Sequence, residues 1–239
     1  MSETSNVTPS GAKSVGQILA GETLEQRLER FAKLAPPSPE EIAARTAQAE
    51  REREAQRAHR VESLLAEANL PKRHAELADP DRRGPWGQAE QKVLGLLGTG
   101  CLVGLVGAYG PGKTQLCVEA IRHEIEKNLR SAQFITLTEL FMRIKAAYRK
   151  DSPQTELEII KQFRKPKLLA IEEVSKIADT DWEQRMFFEL INKRYDDKTD
   201  TLLTANVSAA EFEKFIGPAL ARRMRETGGI IVFDWPSFR

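Results

Sequence analysis

One stretch decides how this chain folds: Gly107-Ala108-Tyr109-Gly110-Pro111-Gly112-Lys113-Thr114. Its glycines let the backbone turn tightly and direct consecutive N–H groups at an anion. At this spacing Lys113 can reach the β- and γ-phosphates of a nucleoside triphosphate, and the Thr114 hydroxyl can bind Mg²⁺. The stretch, extended by Gln115, is therefore the predicted set of ATP contacts. The alternative is a glycine-rich turn between two core elements.

The sequence on either side of this loop favours the phosphate site. An apolar run over 101–106 leads into the loop and is typical of a buried strand. Apolar residues at helical spacing follow the loop: Leu116, Ala120, Ile121 and Ile125. A strand, a glycine loop and a helix N-terminus in this order form an anion site, because the first amides of the helix lack partners.

The rest of this half of the chain alternates strands with helices, which predicts an α/β fold with a parallel sheet. The predicted strands cover 101–106, 132–137, 167–172, 200–206 and 229–234. The predicted helices lie near 113–129, 138–149, 155–164, 181–196 and 209–225.

Acidic and amide side chains follow two of the other predicted strands. Glu172 and Glu173 end the apolar run 168–171, and Asn206 ends the strand 200–206. Phosphate sites form at the carboxyl ends of such strands. Glu172 can hold Mg²⁺ through its water shell, and Glu173 can orient and deprotonate the attacking water. Asn206 can hydrogen-bond the γ-phosphate. The alternatives are a solvated acidic loop and, at Asn206, turn chemistry after a strand.

The bulk composition excludes several classes of function. A net charge of +1 over 239 residues argues against coating nucleic acid, so any DNA contact needs a local patch. Cys101 and Cys117 lie inside apolar runs and are interpreted as buried hydrophobes rather than a disulfide or metal pair. The N-terminus is polar, and no apolar run is long enough for a signal core or a membrane span. The expected location is the cytoplasm, with no membrane partner.

The first part of the chain has a different composition. Residues 1–13 are rich in Ser, Thr and Gly and are predicted to be disordered. Ser38, Pro39 and Glu41 predict a capped helix start, and the following helix is rich in alanine and charge. We interpret residues 1–68 as a helical partner-binding segment, residues 69–87 as a linker, and residues 88–239 as the ATP-binding domain.

Several motifs together resemble a known family. The phosphate loop, the Glu172-Glu173 pair and Asn206 resemble the Walker A, Walker B and sensor 1 elements of AAA+ ATPases. Three further stretches are similar to the DnaC/IstB-like branch of that family, with helicase loaders as the nearer likeness: 69–74, 188–198 and 224–239. The resemblance covers about residues 69–239. It implies a five-stranded parallel sheet flanked by helices, with ATP and Mg²⁺ bound at the loop.

The resemblance also implies a role for one arginine. Arg223 matches the arginine that such loaders present to the nucleotide of a neighbouring subunit. A guanidinium suits the charge that develops on a γ-phosphate. The alternative is a favourable interaction of Arg222, Arg223 and Arg225 with the negative end of a helix.

The single-stranded DNA contacts of the family lie on a helix pair inserted after the second strand. In this chain that region contains Lys145, Tyr148 and Arg149. Lys145 and Tyr148 are three residues apart, so a cation and a stacking ring share one helix face. The alternative is a solvated basic face with Tyr148 half-buried.

Some positions depart from the family pattern. Glu172 stands where the family usually has Asp, which makes slow hydrolysis an expectation. Ala205 replaces a usual Ser, and Ala219 stands where many relatives carry a second arginine. The sequence ends six residues after Phe233, so we expect no helical lid domain.

The resemblance implies an ATP-dependent helicase loader that acts in DNA replication. The implied partners are a hexameric, DnaB-like replicative helicase, bound through the N-terminal segment, single-stranded DNA, and further copies of the chain in an ATP-dependent oligomer. One alternative is an IstB-like transposition helper ATPase acting on duplex DNA. Another is an ATP-binding adaptor with little hydrolysis.

Overall fold

The structure is a computed structural model that describes residues 23–32, 38–76, 84–149, 151–176 and 180–236. The chain divides into two compact units, residues 1–54 and residues 55–239. The disorder predicted for residues 1–13 concerns a part of the chain outside the described residues. None of the helices in the described ranges combines the length and the apolar composition that crossing a membrane requires.

The helices of the described residues are α1 Leu24–Ala32, α2 Pro39–Glu67, α3 Lys72–Ala75, α4 Pro85–Leu96, α5 Lys113–Glu126, α6 Leu137–Ala146, α7 Glu156–Arg164, α8 Asp181–Asp196 and α9 Ala209–Thr227. The strands are β1 Leu102–Gly107, β2 Ala132–Thr136, β3 Leu168–Glu172, β4 Asp200–Ala205 and β5 Gly229–Phe233. A short 3₁₀ helix, Val174–Lys176, follows β3.

The five strands form one parallel sheet in the order β2-β3-β4-β1-β5. This confirms the predicted α/β fold, and the strand bounds agree with the prediction to within about two residues. Parallel strands need crossover helices, and these cover both faces of the sheet.

α9 contains a break that the sequence does not predict. It lies at Gly217, where φ is 72°, and Pro218 starts the second helical stretch.

Side chains alternate along the strands and build one core on each face of the sheet. From β1, Leu102 and Val106 join the core beneath α6, α7, α8 and α9. Val103 and Leu105 join the other core, beneath α4 and α5. Cys101 and Cys117 are also buried there, and burial raises the pKa of both thiols well above the ordinary value.

The helix start predicted at Ser38 is confirmed. The Ser38 N–H donates to Glu41 Oε2 at 2.8 Å, and the Glu41 N–H donates to Ser38 Oγ at 3.2 Å. The preceding helix α1 is amphipathic, and its three large apolar side chains are exposed: Leu24 by 75%, Leu28 by 61% and Phe31 by 73%.

The end of α2 and the segment after it belong to the second unit, residues 55–239, which is called the α/β unit below. Leu64 and Ala68 are buried in the core beneath α4 and α5. The Phe134 N–H donates to the Ala68 carbonyl at 2.8 Å, so this segment pairs with the outer edge of β2. The division between the units therefore falls within α2, ahead of the linker placed at 69–87, because the apolar residues at the end of α2 are buried by the α/β unit.

The segment 69–87, which the sequence analysis interprets as a linker without helices, contains α3 and the start of α4, and this is a correction. α4 begins after Gly84 with Pro85 at its first position, where a missing N–H costs nothing. Its buried face includes Trp86, Ala89 and Val93. The charged and Gly/Pro-rich composition of the preceding residues concealed this helix.

A buried polar network holds the amino edge of the sheet. Asp200 is fully buried and accepts hydrogen bonds from the N–H groups of Gly98, Gly100 and Cys101 at 2.8, 2.9 and 3.0 Å. Arg130 donates to the same carboxylate at 3.1 Å. These bonds fix the turn into β1, and thereby the strand that carries the phosphate loop.

Candidate nucleotide site

Three neighbouring strands bring the predicted phosphate residues to one edge of the sheet. β4 lies between β1 and β3. Gly107 ends β1 and Glu172 ends β3, while Asn206 follows directly after β4. The structure thus assembles groups that lie far apart in sequence, and Asn206 is half-buried between the other two strand ends.

The glycines of the loop occupy backbone conformations that other residues rarely adopt. Gly110 and Gly112 have φ values of 101° and 97°. Gly107 has φ of 131°, and a Cβ there would lie 2.3 Å from the Phe233 carbonyl oxygen. The chain enters α5 directly at Lys113, so the loop ends at a helix N-terminus whose free amides attract anions.

Lys113 folds back over the loop. Its Nζ donates to the carbonyls of Gly107 at 2.8 Å and Ala108 at 2.6 Å. Only 6% of the side chain is exposed. Burial lowers the pKa of the Lys113 ammonium below its ordinary value, and the nearby Glu172 carboxylate acts in the opposite direction. The cation therefore sits at the loop that would hold a triphosphate.

Thr114 and Glu172 meet beside the loop. The Thr114 hydroxyl donates to Glu172 Oε1 across a separation of 58 residues. A hydroxyl and a carboxylate oxygen are hard ligands of the kind that Mg²⁺ prefers, usually together with waters and substrate phosphates. The pair therefore fits a magnesium ion, although no group of three or more His, Cys, Asp or Glu in the described residues forms an all-protein metal site.

Glu173 is held in an unusual backbone conformation, with φ of 60°. Its N–H donates to Thr204 Oγ1 on β4 at 3.1 Å. Lys176 Nζ donates to Glu173 Oε2 at 2.7 Å, and this hydrogen bond raises the pKa of Lys176. A non-glycine residue in this region is typical of functional sites, so the strain agrees with a chemical role for Glu173.

The remaining loop residues differ in exposure. Tyr109 is 71% exposed, so its ring extends away from the loop. Gln115 is buried, donates to Glu119 Oε1 at 2.9 Å and contacts His74 Nδ1 at 3.3 Å. The predicted ATP contacts from Gly107 to Gln115 run from the end of β1 into the first turn of α5, and Pro111, Lys113 and Gln115 among them are buried.

The structure does not bring Arg223 to the phosphate loop of its own chain. Arg223 lies near the end of α9, one turn before Thr227. The Thr227 hydroxyl accepts from the N–H of Leu102, which begins β1, whereas the loop follows the other end of that strand. A role for Arg223 at a phosphate site therefore requires a second copy of the chain.

The predicted DNA contacts are grouped around an aromatic side chain that the sequence analysis did not single out. Trp182 Nε1 donates to the Tyr148 hydroxyl at 3.3 Å, and Lys145 Nζ lies 5.5 Å from the Trp182 ring. Lys145 also pairs with the Glu183 carboxylate at 2.5 Å, and the Tyr148 hydroxyl donates to a second glutamate, Glu156. Tyr148 is 59% exposed rather than half-buried.

Arg149 is exposed beside this cluster. The three residues predicted to bind DNA thus share one surface around α6. Two of them are already engaged with carboxylates, which a phosphate group has to displace.

Two tryptophans outside the motif contact the phosphate loop. Trp86 Nε1 donates to the Gly112 carbonyl at 3.1 Å, and Trp235 Nε1 donates to the Pro111 carbonyl at 3.0 Å. Neither contact is predicted from the sequence. An indole that is buried needs a partner for its N–H, but the sequence alone does not show which carbonyl lies within reach.

Comparison with known proteins identifies the family of this chain. The family model described as IstB-like ATP binding protein matches residues 44–225. The replicative helicase loader DnaC of Escherichia coli strain K12 is 25% identical over 134 residues, which are 56% of this chain and 54% of that protein. A protein of insertion sequence IS232 from Bacillus thuringiensis subsp. berliner, named for ATP binding, is 32% identical over 117 residues, 48% of this chain and 45% of that protein.

Solved structures with the same fold include replication proteins. A crystal structure of the DnaC helicase loader has a TM-score of 0.56 at 18% identity and covers 68% of this chain and 99% of that chain. AMPPCP-bound DnaA from Aquifex aeolicus has a TM-score of 0.54 at 17% identity, covering 69% of this chain and 51% of that chain. The chain spans about half the length of the curated relatives it matches.

Proposed function

Since the chain belongs to the IstB-like ATP binding protein family, the DnaC/IstB-like AAA+ proteins, we propose that it binds ATP with Mg²⁺ and hydrolyses it. The observation that carries this proposal is the meeting of Thr114 with Glu172 beside the glycine loop. That contact joins two family motifs, because Thr114 lies at the start of α5, where the phosphate loop ends, and Glu172 ends β3. Thr114 and Glu172 would hold a Mg²⁺ ion, which would supply positive charge to neutralise the phosphates.

Each site residue has a distinct part in this proposal. The loop amides and Lys113 hold the phosphates, and Thr114 and Glu172 hold the magnesium ion. Glu173 orients the attacking water and accepts its proton, since its carboxylate follows the metal-side acid directly. Asn206 contacts the γ-phosphate or the water and so distinguishes ATP from ADP. The Glu173 carboxylate must leave Lys176 to act as a base, which favours slow turnover.

The completed site includes a second copy of the chain. Arg223 of one copy reaches the nucleotide of its neighbour, since the end of α9 that carries it lies at the end of β1 opposite the phosphate loop of its own chain. A guanidinium brought to the γ-phosphate stabilises the charge of the transition state. Hydrolysis then depends on assembly, and ATP promotes self-association.

The whole-chain function that we propose is loading of a replicative helicase during DNA replication. The similarity to DnaC supports it, as does the amphipathic helix α1. Its exposed residues Leu24, Leu28 and Phe31 recur at the spacing of one helix face, the pattern of helices that dock into apolar grooves. The proposed partner is a hexameric, DnaB-like replicative helicase, and single-stranded DNA binds around Lys145 and Tyr148.

A pull-down tests the helicase partner. Full-length protein in which Leu24, Leu28 and Phe31 are all replaced by Ala is compared with the wild type for retention by the cell's replicative helicase. The matched control replaces Glu25 and Glu29, on the same helix, with Ala. We expect retention of the wild type and the control only. Equal retention of all three proteins, or of none, contradicts the proposed role of α1.

The second candidate is a transposition helper ATPase that acts on duplex DNA. The name of the matching family and the similarity to the IS232 protein favour it. The ATPase half of the chain serves either function, so the partner decides between them. Binding to a transposase, together with ATP-dependent filaments on duplex DNA and no helicase binding, would establish this candidate instead.

The third candidate is an adaptor that binds ATP without turning it over. Glu172 in the position of a family Asp motivates it, because the longer side chain must be accommodated at the magnesium ion. Phosphate release by the wild type and by Glu173→Gln separates this candidate from the ATPase.

A further inference from the structure

Two tryptophan side chains hold neighbouring carbonyls of the phosphate loop. The Trp86 indole comes from α4, before β1, and donates to the carbonyl of Gly112. The Trp235 indole follows β5 and donates to the carbonyl of Pro111. The two indoles thus reach the same turn of the loop from opposite ends of the sheet-forming sequence, one before β1 and one after β5.

The geometry of the loop directs these two carbonyls away from the side on which an anion would bind. Gly110 and Gly112 have positive φ values on either side of Pro111, whose ring fixes φ near −65°. Alternation of this kind turns successive N–H groups towards an anion and leaves carbonyls on the opposite side. The Pro111 carbonyl accepts from the Trp235 indole. The Gly112 carbonyl accepts from the Leu116 N–H of α5 at 3.0 Å, and the Trp86 indole is its second donor.

The tryptophans are themselves held rigidly. Trp86 is only 1% exposed and packs in the core beneath α4 and α5. The ring of Trp235 lies 4.5 Å from the ring of Phe233, centroid to centroid. The Phe233 carbonyl in turn abuts Gly107, at the start of the loop. A rigid donor restricts the orientation of the peptide group that accepts its hydrogen bond.

We propose that Trp86 and Trp235 are positioning residues of the ATP site. Their indole N–H groups hold the Pro111 and Gly112 carbonyls outward, so that the loop amides face the triphosphate before it binds. Pre-orientation of this kind reduces the ordering cost of binding. This inference rests on the proposed binding of ATP at the loop and adds two residues outside the motif to that site.

Phenylalanine variants test the inference, because they keep an aromatic ring and remove the donor. Trp86→Phe, Trp235→Phe and the double variant are compared with Thr99→Val, a matched control that removes an exposed side-chain donor to the Leu96 carbonyl, in the turn before β1. Calorimetry with Mg²⁺–ATP and with inorganic tripolyphosphate measures affinity. Each single variant is expected to bind both ligands about fivefold more weakly, the effect of one ordinary hydrogen bond. The control is expected to bind as the wild type does.

Tripolyphosphate distinguishes positioning of the loop from any effect on base binding, because it carries no base. An equal loss of affinity for both ligands supports the inference. Wild-type affinity in Trp86→Phe and Trp235→Phe overturns it, as does a loss confined to ATP. The variant Lys113→Ala tests the premise separately: if it binds ATP as tightly as the wild type, the proposed function fails, whatever the tryptophan variants show.

A second measurement uses the unaltered protein, in case a phenylalanine variant folds poorly. The full-length wild type, labelled with ¹⁵N-tryptophan, gives one indole N–H signal for each of its three tryptophans. Addition of Mg²⁺–ATP is expected to shift two of the signals and to leave the third unchanged. The unchanged signal should be the one that Trp182→Phe removes. If fewer than two signals shift, the two indoles do not respond to the loop and the inference is overturned.

Discussion

Arg223 Nη1 donates a hydrogen bond of 2.7 Å to Asn192 Oδ1 on the neighbouring helix α8. The guanidinium carbon also lies 4.7 Å from the centre of the Tyr195 ring. Arg222 and Arg225 each lie within 3.7 Å of a glutamate carboxylate. In the described part of the chain, the side-chain partners of Arg223 are thus an amide and a ring. Its charge is therefore the one in this cluster that no carboxylate balances.

We predict that Arg223→Ala abolishes most of the ATP hydrolysis and leaves ATP affinity within about twofold of the wild type. An arginine supplied to a neighbour's phosphate contributes about 10³-fold or more to turnover, because it stabilises charge that develops only in the transition state. Phosphate release measures the first quantity and calorimetry the second. Arg222→Ala is the matched control and should hydrolyse ATP normally.

A mixing experiment tests whether Arg223 acts between copies. Subunits with Arg223→Ala keep an intact phosphate loop, and subunits with Lys113→Ala keep an intact arginine. We expect the mixture to regain part of the activity that each variant lacks alone. Hydrolysis that stays at the level of the separate variants would show that Arg223 does not complete a neighbour's site.

We predict that Glu173→Gln binds Mg²⁺–ATP as the wild type does and releases phosphate about 10² to 10⁴ times more slowly. The amide keeps the shape of the side chain but cannot accept a proton from water. Glu213→Gln, on the exposed surface of α9, controls for the loss of one carboxylate. If the wild type releases phosphate as slowly as Glu173→Gln, with and without single-stranded DNA, the protein is an adaptor rather than an ATPase.

We predict that Lys145→Ala combined with Tyr148→Ala weakens binding of single-stranded DNA about tenfold. Stacking of one base contributes about 1–3 kcal/mol to binding. Loss of the lysine reduces the steepness of log K against log salt by about 0.7. Fluorescence anisotropy of a labelled oligonucleotide over a salt series measures both. Lys127→Ala, an exposed lysine that follows α5, is the control. Unchanged affinity and slope would place the DNA surface elsewhere.

We predict that Asp200→Asn destabilises the α/β unit by about 3–5 kcal/mol. The substitution removes the charge that balances Arg130 and places an amide N–H₂ group where backbone N–H groups need an acceptor. Urea unfolding followed by circular dichroism measures the change. The exposed carboxylate Asp196 at the end of α8, replaced by Asn, is the matched control, and its midpoint should hardly move. A midpoint for Asp200→Asn equal to the control's would show that this network does not hold the turn into β1.

Local chemistry within the sequence determined the phosphate loop and the strands. Positive φ values at Gly110 and Gly112 require glycine, so the loop is legible from residue types alone. Apolar runs of strand length likewise predicted all five strands, because a strand covered on both faces carries apolar residues nearly throughout. Ser38 and Glu41 are three residues apart, so the sequence also predicts their capping interaction, because both partners belong to one local stretch of chain.

Only the tertiary structure decided which distant groups meet. The hydrogen bond from Thr114 to Glu172 depends on the order of the strands. That order places β4 alone between β1, which leads into the phosphate loop, and β3, which ends at Glu172. Trp86 and Trp235 reach the loop through packing on both sides of it, and no local pattern encodes such a contact. The carboxylates that engage Lys145 and Tyr148 come from other helices in the same way. Sequence patterns report each residue's own backbone and burial, whereas contacts across the fold depend on how whole elements pack.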